Sequence, residues 1–348
     1  MHTWFRTAFA FLFLTQTVTT IGRVRKLMWA IILSELIVTG YTILNQDTLQ
    51  DDVRVMAQNR GLLTGNYLGI AVATTLPFTA GLLVRSRSFV QSFLLVTTFA
   101  TSVWMVVLTS SRGGLLGVIL SLALTWALVL RDSFRARVLG VLLVVAMVGA
   151  VVLAPAVFWD RISTLWSKDY ATTSANVASS SAVFSEMQRK ALFWRSIDYT
   201  LGNPVFGLGM GNFAIASGTF TGNSQEWKGT HNTYTQVSSE GGIPALVLFA
   251  MLMLSSLKGL NRVARSADGD PSKEELVFFA RTTSVSLYAF IFSAIFAHLA
   301  FEAHMYYLIA ISVALQTVLA RSEKAALAPA ANDRRGVPNG NEKRGLRK

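Results

Sequence analysis

Nine stretches of this chain are too long and too apolar to be the core elements of a soluble domain. They cover residues 4–21, 27–44, 66–84, 89–109, 113–130, 138–157, 242–257, 282–301 and 305–320. Each is close to the roughly 20 residues that an α-helix, rising about 1.5 Å per residue, needs to cross about 30 Å of hydrocarbon. Composition agrees: of the 348 residues 52% are hydrophobic and only 14% charged, against about 25% charged in soluble domains. Backbone amides in lipid must be satisfied within the segment, so helices fill these spans. The predicted fold class is all-α, a polytopic membrane bundle of about nine helices.

The formal net charge of +12 invites a nucleic-acid reading, and its distribution argues against one. With the C-terminus inside, nine spans put the N-terminus outside. The inner segments then carry 21 of the 31 Lys and Arg, among them Arg23, Arg25, Arg85, Arg87, Arg281 and the cluster after Arg321. That is a positive-inside bias, which sets orientation. The expected setting is a membrane, with a cytoplasmic C-terminus. Membrane lipids are partners and nucleic acid is not.

There is no cysteine, hence no disulfide and no thiolate metal site. The first segment lacks the charged n-region and small-residue cleavage site of a signal peptide. Residues 321–348 read as a disordered basic tail suited to anionic lipid.

Most connections are short, but residues 158–241 make one outer loop far longer than a connector needs, and such loops are usually functional or disordered. The chain thus divides into helices 1–6 (1–157), a large loop with short helices (158–241), helices 7–9 (242–320) and the tail. Within the loop, the Ser/Ala/Thr-rich "TTSANVASSSAVF" reads as mobile. A helix is predicted from Ser185, with Gln188 in capping-box spacing, to Gly202-Asn203-Pro204, where proline forbids continuation. Glycines 207, 209 and 211 lack the strand and spacing of a dinucleotide motif and read as a tight turn admitting a neighbouring backbone.

The polar residues that need explaining share the outer side. Arg112, in "TSSRGGLLG", lies between two spans; guanidinium forks grip phosphate well, and the glycines after it admit a close neighbour. Arg189 and Lys190 lie on the loop helix, with Arg195 behind them. His231, in "KGTHNTYTQVSSEGGIPAL", precedes a membrane span, and neutral imidazole is a competent general base. Asn232 fixes its tautomer or closes the turn; Glu240 orients the imidazole or serves as a helix N-terminal charge. His298 and Glu302 are one helical turn apart, but with His304 they match no metal motif and read as interfacial.

Taken in order, "GNYLG" at 65–69, "SRGG", the Arg189 helix, "NPVFGLGMGNF" and "THNTYTQVSSEGGIPAL" resemble the O-antigen ligase family over roughly residues 60–315. The resemblance implies a metal-independent, cofactor-free, inverting glycosyltransferase. Such an enzyme moves a glycan from undecaprenyl diphosphate to an acceptor hydroxyl of lipid A-core, or of another glycan, on the periplasmic side. It implies Arg112, Arg189 and His231 as catalytic residues. Lys190, Arg195, Asn232, Asn66 and Glu240 would bind substrate. The family ordinarily has about twelve spans, three more than are read here. A polymerase of the same superfamily, a non-catalytic polysaccharide exporter and a membrane scaffold are the alternatives.

Overall fold

The structure, a computed structural model, describes residues 2–45, 50–51, 54–55, 65–130, 134–163, 177–222, 227–266 and 270–333. Twelve α-helices lie among them: α1 (His2–Thr17), α2 (Ile21–Leu44), α3 (Gly65–Arg85), α4 (Phe89–Thr109), α5 (Arg112–Thr125), α6 (Phe134–Val152), α7 (Ala156–Ser163), α8 (Val177–Gly202), α9 (Phe213–Thr221), α10 (Thr233–Ser266), α11 (Glu274–Ser293) and α12 (Ala303–Asp333). A π-helical turn extends α5 to Leu130, and Gln50–Asp51 pairs antiparallel with Arg54–Val55. The molecule is a polytopic helical bundle.

Seven of the described helices are long and apolar enough to cross a membrane: α2, α3, α4, α5 with its π turn, α10, α11 and α12. The stretch Ala136–Val152 of α6 is apolar but shorter, and α1 has 16 residues.

Helices α3 and α11 form the centre. Helix α3 packs on α4, α5 and α11, and α10 packs on α8, α11 and α12. Lipid tails are as apolar as leucine, so close packing of small residues must supply much of the attraction. The sequence provides them. A Cβ on Gly69 would lie 2.8 Å from Gly114 Cα, and one on Gly117 would lie 3.2 Å from Ala73 Cβ. Gly69 and Ala73, one turn apart on α3, thus seat against Gly114 and Gly117 on α5. Glu35, deep in α2, accepts a 2.6 Å hydrogen bond from Ser102 Oγ of α4, the kind of partner an intramembrane carboxyl needs.

Four boundaries differ from expectation. The span expected over 282–301 ends its helix at Ser293, and residues 294–302 are irregular. Distant partners satisfy this stretch: Thr233 N donates to Ala294 O (2.8 Å), Thr233 Oγ1 to Ala297 O (2.7 Å), and Ala300 N to Gln236 Oε1 (3.2 Å). Non-helical backbone is tolerated in such a place because protein surrounds it. His298 and Glu302 therefore do not share a helix face.

The loop helix starts at Val177, not at Ser185. Serine and alanine carry little helical penalty, so the helix runs through the capping signal. It stops at Gly202 as expected, and at 26 residues it is not short. The expected mobile segment lies outside the described residues up to 176 and is helical backbone beyond. At the other end α12 continues to Asp333, through the start of the expected disordered tail, where "RSEKAALA" is rich in good helix formers.

Helix α10 begins at Thr233, nine residues ahead of the expected span, and breaks at Gly242 (φ 79°, ψ 178°). There the chain locks onto the loop: Ile243 N donates to Pro204 O at 2.7 Å, and a Cβ on Gly242 would lie 2.3 Å from Val205 O.

Candidate active site

Arg112 is the first residue of α5. Ser110 turns the chain with a left-handed φ of 48°, and Ser111 caps the helix, its Oγ accepting from Gly114 N at 3.1 Å. The glycines after Arg112 do admit close neighbours, and these are the protein's own. A Cβ on Gly113 would lie 2.8 Å from Phe296 Cβ, and Gly114 meets Gly69. The tight seat holds the guanidinium at the α5 terminus, 11% exposed, with Nη1 3.6 Å from Glu186 Oε2 on α8.

Glu186 brings α8 into the site. Arg189 lies three residues on and Lys190 four, both on the Glu186 face of the helix. Arg189 is half-buried and Lys190 exposed. One residue before Arg189, Gln188 Oε1 accepts from Lys228 Nζ at 2.9 Å, tying α8 to the strand of chain that leads into His231. Arg195 points elsewhere: its Nη1 donates to Ser217 Oγ at 2.6 Å and its guanidinium lies 5.2 Å from the Phe220 ring centroid. It clamps α8 to α9.

His231 stands just ahead of α10 with φ 53°, a conformation that L residues seldom adopt. Asn232 caps that helix: Oδ1 accepts from Tyr234 N (2.9 Å) and Thr235 N (3.1 Å). Of its two expected roles, closing the turn is the one seen. The His231 ring meets His298 edge to face, centroids 5.3 Å apart, and His298 makes the same contact with Tyr67 at 5.3 Å. Tyr67 Oη also donates to His298 O at 3.1 Å. Asn66 lies beside Tyr67 in the first turn of α3, and its side chain falls outside the described structure.

His298 is the residue the sequence reading passed over as merely interfacial. Burial pushes its pKa down from 6.5 to about 4, so it is neutral near pH 7. Its Nδ1 is buried with no hydrogen-bond partner among the described residues. Gly229 makes room for it, since a Cβ there would lie 2.7 Å from ring atoms Cδ2 and Nε2. The one hint in the sequence was a histidine in an otherwise apolar run. Burial also raises the Glu302 carboxyl.

Glu240 serves the glycine turn and not the imidazole. Its Oε1 accepts from Phe213 N, the first residue of α9, at 3.1 Å, and its carbonyl accepts from Gly209 N at 2.9 Å. It thus serves a helix N-terminus as an acceptor, but that of α9. Gly207 (φ 63°) could not carry a side chain, because a Cβ would lie 2.4 Å from Glu240 C; the close neighbour expected of this turn is Glu240.

One end of the bundle therefore gathers Arg112, the Arg189 face of α8 and the His231 turn. Arg112 and Lys228 each touch α8 within one turn of Arg189, while Gly113 and His231 flank the 296–298 stretch from two sides. No group of three or more His, Cys, Asp or Glu suited to a metal ion occurs among the described residues. Basic side chains gathered at one end of the bundle suit an anionic, phosphate-bearing substrate.

A comparison with curated proteins returns no match. Residues 97–250 match the family model described as O-antigen ligase, a stretch that holds Arg112, Arg189, Lys190, Arg195, His231, Asn232 and Glu240 and leaves out Asn66 and His298. Over those residues this multi-pass membrane protein resembles the O-antigen ligase family, membrane glycosyltransferases of the ligase and polymerase type.

Proposed function

We propose that the protein transfers a glycan from undecaprenyl diphosphate to an acceptor hydroxyl, with a sugar of lipid A-core as acceptor, at the periplasmic face of the inner membrane. The acceptor oxygen attacks the anomeric carbon as the bond from that carbon to the diphosphate oxygen breaks. The bonding pair leaves with undecaprenyl diphosphate, and the hydroxyl proton passes to His231. In-line attack inverts the anomeric centre. Arg112 and Arg189 stabilise the charge that grows on the leaving diphosphate, an effect worth several kcal/mol in a water-poor site. His231 as general base contributes about 10² to 10⁴-fold.

The observation that carries this reading is the Arg112–Glu186 contact at 3.6 Å. It brings a guanidinium from the membrane helices against the basic face of α8, at the same end as the His231 turn. Of the two neighbouring cations, Arg189 takes the catalytic part because it is half-buried; Lys190 and Lys228 draw the diphosphate in. Asn232, Arg195 and Glu240 act through positioning, holding the turn, α9 and the glycine segment. The test is to incubate the purified protein with undecaprenyl diphosphate-linked glycan and lipid A-core and analyse the products. Glycan joined to core supports ligation. Glycan joined only to glycan makes the protein a polymerase, and no transfer with any acceptor removes the enzymatic reading.

A further inference from the structure

At the end of the bundle opposite Arg112, the starts of α2 and α11 and the α3–α4 turn enclose a cavity of about 930 Å³. Tyr67 and Arg85 mark the two ends of α3, so about 27 Å of helix separates this cavity from the candidate active site. Four guanidinium groups line it: Arg25, Arg85, Arg87 and Arg281. Among the described residues only two carboxylates, Glu274 and Glu275, line it with them. Arg85 pairs with Glu274 and Arg25 with Glu275. Among the described residues no carboxylate pairs with Arg87, which is exposed.

Among the described residues the lining thus holds two more positive than negative side chains. It is also amphipathic. Arg85 lies over the Phe278 ring at 4.4 Å, Trp29 forms part of the wall, and Leu128 is 41% exposed on the same rim. Arginine forks donate paired hydrogen bonds to phosphate oxygens, and a tryptophan beside them suits the membrane–water boundary. Basic pockets between membrane helices hold anionic lipid headgroups for these reasons. A phosphate monoester carries about −1.5 to −2 charge near pH 7, the sign that such a lining suits.

We propose that this cavity binds the phosphate headgroup of an anionic membrane lipid, on the face that the Lys and Arg bias assigns to the cytoplasm. The proposal does not rest on the glycosyltransferase reading. Its test uses the full chain in phosphatidylcholine nanodiscs, doped with phosphatidic acid or supplied with inorganic phosphate. Retained lipid is counted by native mass spectrometry after mild extraction, and thermal unfolding is followed alongside. Phosphatidic acid is expected to be retained about tenfold over phosphatidylcholine. Arg87→Gln and Arg281→Gln are each expected to lower that retention several-fold, while Arg112→Gln leaves it unchanged. Arg87 is exposed, so its variant folds even where the Arg281 variant does not. Equal retention of both lipids, or retention indifferent to Arg87→Gln, would overturn the proposal. Inorganic phosphate that displaces the lipid and stabilises the protein equally well would assign the site to a soluble anion and overturn it too.

Discussion

His298 stands edge to face against His231, ring centroids 5.3 Å apart, and its own ring is buried with a pKa of about 4. The unfolded chain takes up this proton near pH 6.5, the folded protein only near 4. Between those values the unfolded state binds more protons, so stability is full above about pH 6.5 and is lost as pH falls toward 4. A shift of this size is worth up to about 3 kcal/mol. Unfolding midpoints at pH 7 and pH 5 should therefore differ more in the wild type than in His298→Phe, which keeps a ring but cannot titrate. An identical pH response in both would show that His298 is not buried neutral.

Gly229 faces the same ring. A Cβ there would lie 2.7–2.8 Å from three of its atoms, and contacts with both Tyr67 and His231 leave the ring little room to swing away. Gly229→Ala is expected to cost about 1–3 kcal/mol, the usual penalty of overpacking, and to displace His231 enough to lower transfer. Gly149→Ala, in α6 with nothing within 4 Å of the added methyl, should be neutral. Equal unfolding midpoints for the two variants would refute the packing argument.

Asn232 accepts two hydrogen bonds from the first N–H groups of α10. Loss of such a cap costs about 0.5–2 kcal/mol, so Asn232→Ala should unfold at lower denaturant. Asn232→Asp, which keeps the accepting oxygen, should restore the midpoint and the transfer rate together. If Asp restored stability but not transfer, the amide would have a direct part in substrate binding.

Much of this was legible in the chain. Apolar length pointed to nine spans, because a membrane span must be long and continuous, and seven of them overlap described helices long and apolar enough to cross a membrane. Gly202-Asn203-Pro204 stopped α8 by a local rule, and glycines 207, 209 and 211 declared a turn. The end of α11 was not legible: "FSAIFAHLAF" is equally apolar as helix or as coil, and bonds from Thr233 and Gln236 some sixty residues away decide it. His298 escaped for the same cause, since its neighbours Tyr67, Gly229 and His231 are distant in sequence. Asn232 and Glu240 were found as polar residues near the site, but only coordinates show them bonded to helix N-termini.

Arg112 should not tolerate lysine. Its guanidinium is 11% exposed and held against α8 by the Gly113 and Gly114 contacts. An ammonium offers a point charge without the planar fork that a diphosphate uses. Arg112→Lys is expected to lower transfer about 10²-fold, approaching the 10²–10³ that follows loss of an oxyanion donor. Glu186→Gln, which leaves the guanidinium in place, should cost far less. Steady-state rates with lipid-linked donor check both. Full activity in the lysine variant would mean that charge alone suffices.

His231 permits a test that separates conformation from chemistry. Its φ of 53° is costly for any side chain and free for glycine, so His231→Gly relieves strain of about 1–2 kcal/mol. It also loses the His298 contact. The glycine variant should unfold at or near the wild-type midpoint, and His231→Ala slightly below it, because alanine keeps the strain and drops the ring. Both should lose transfer by about 10² to 10⁴-fold if imidazole takes the acceptor proton. Added free imidazole should recover part of the rate in the glycine variant, with a pH profile set by the added base. A glycine variant that is stable yet fully active would remove His231 from the chemistry and leave it as a ring that props His298.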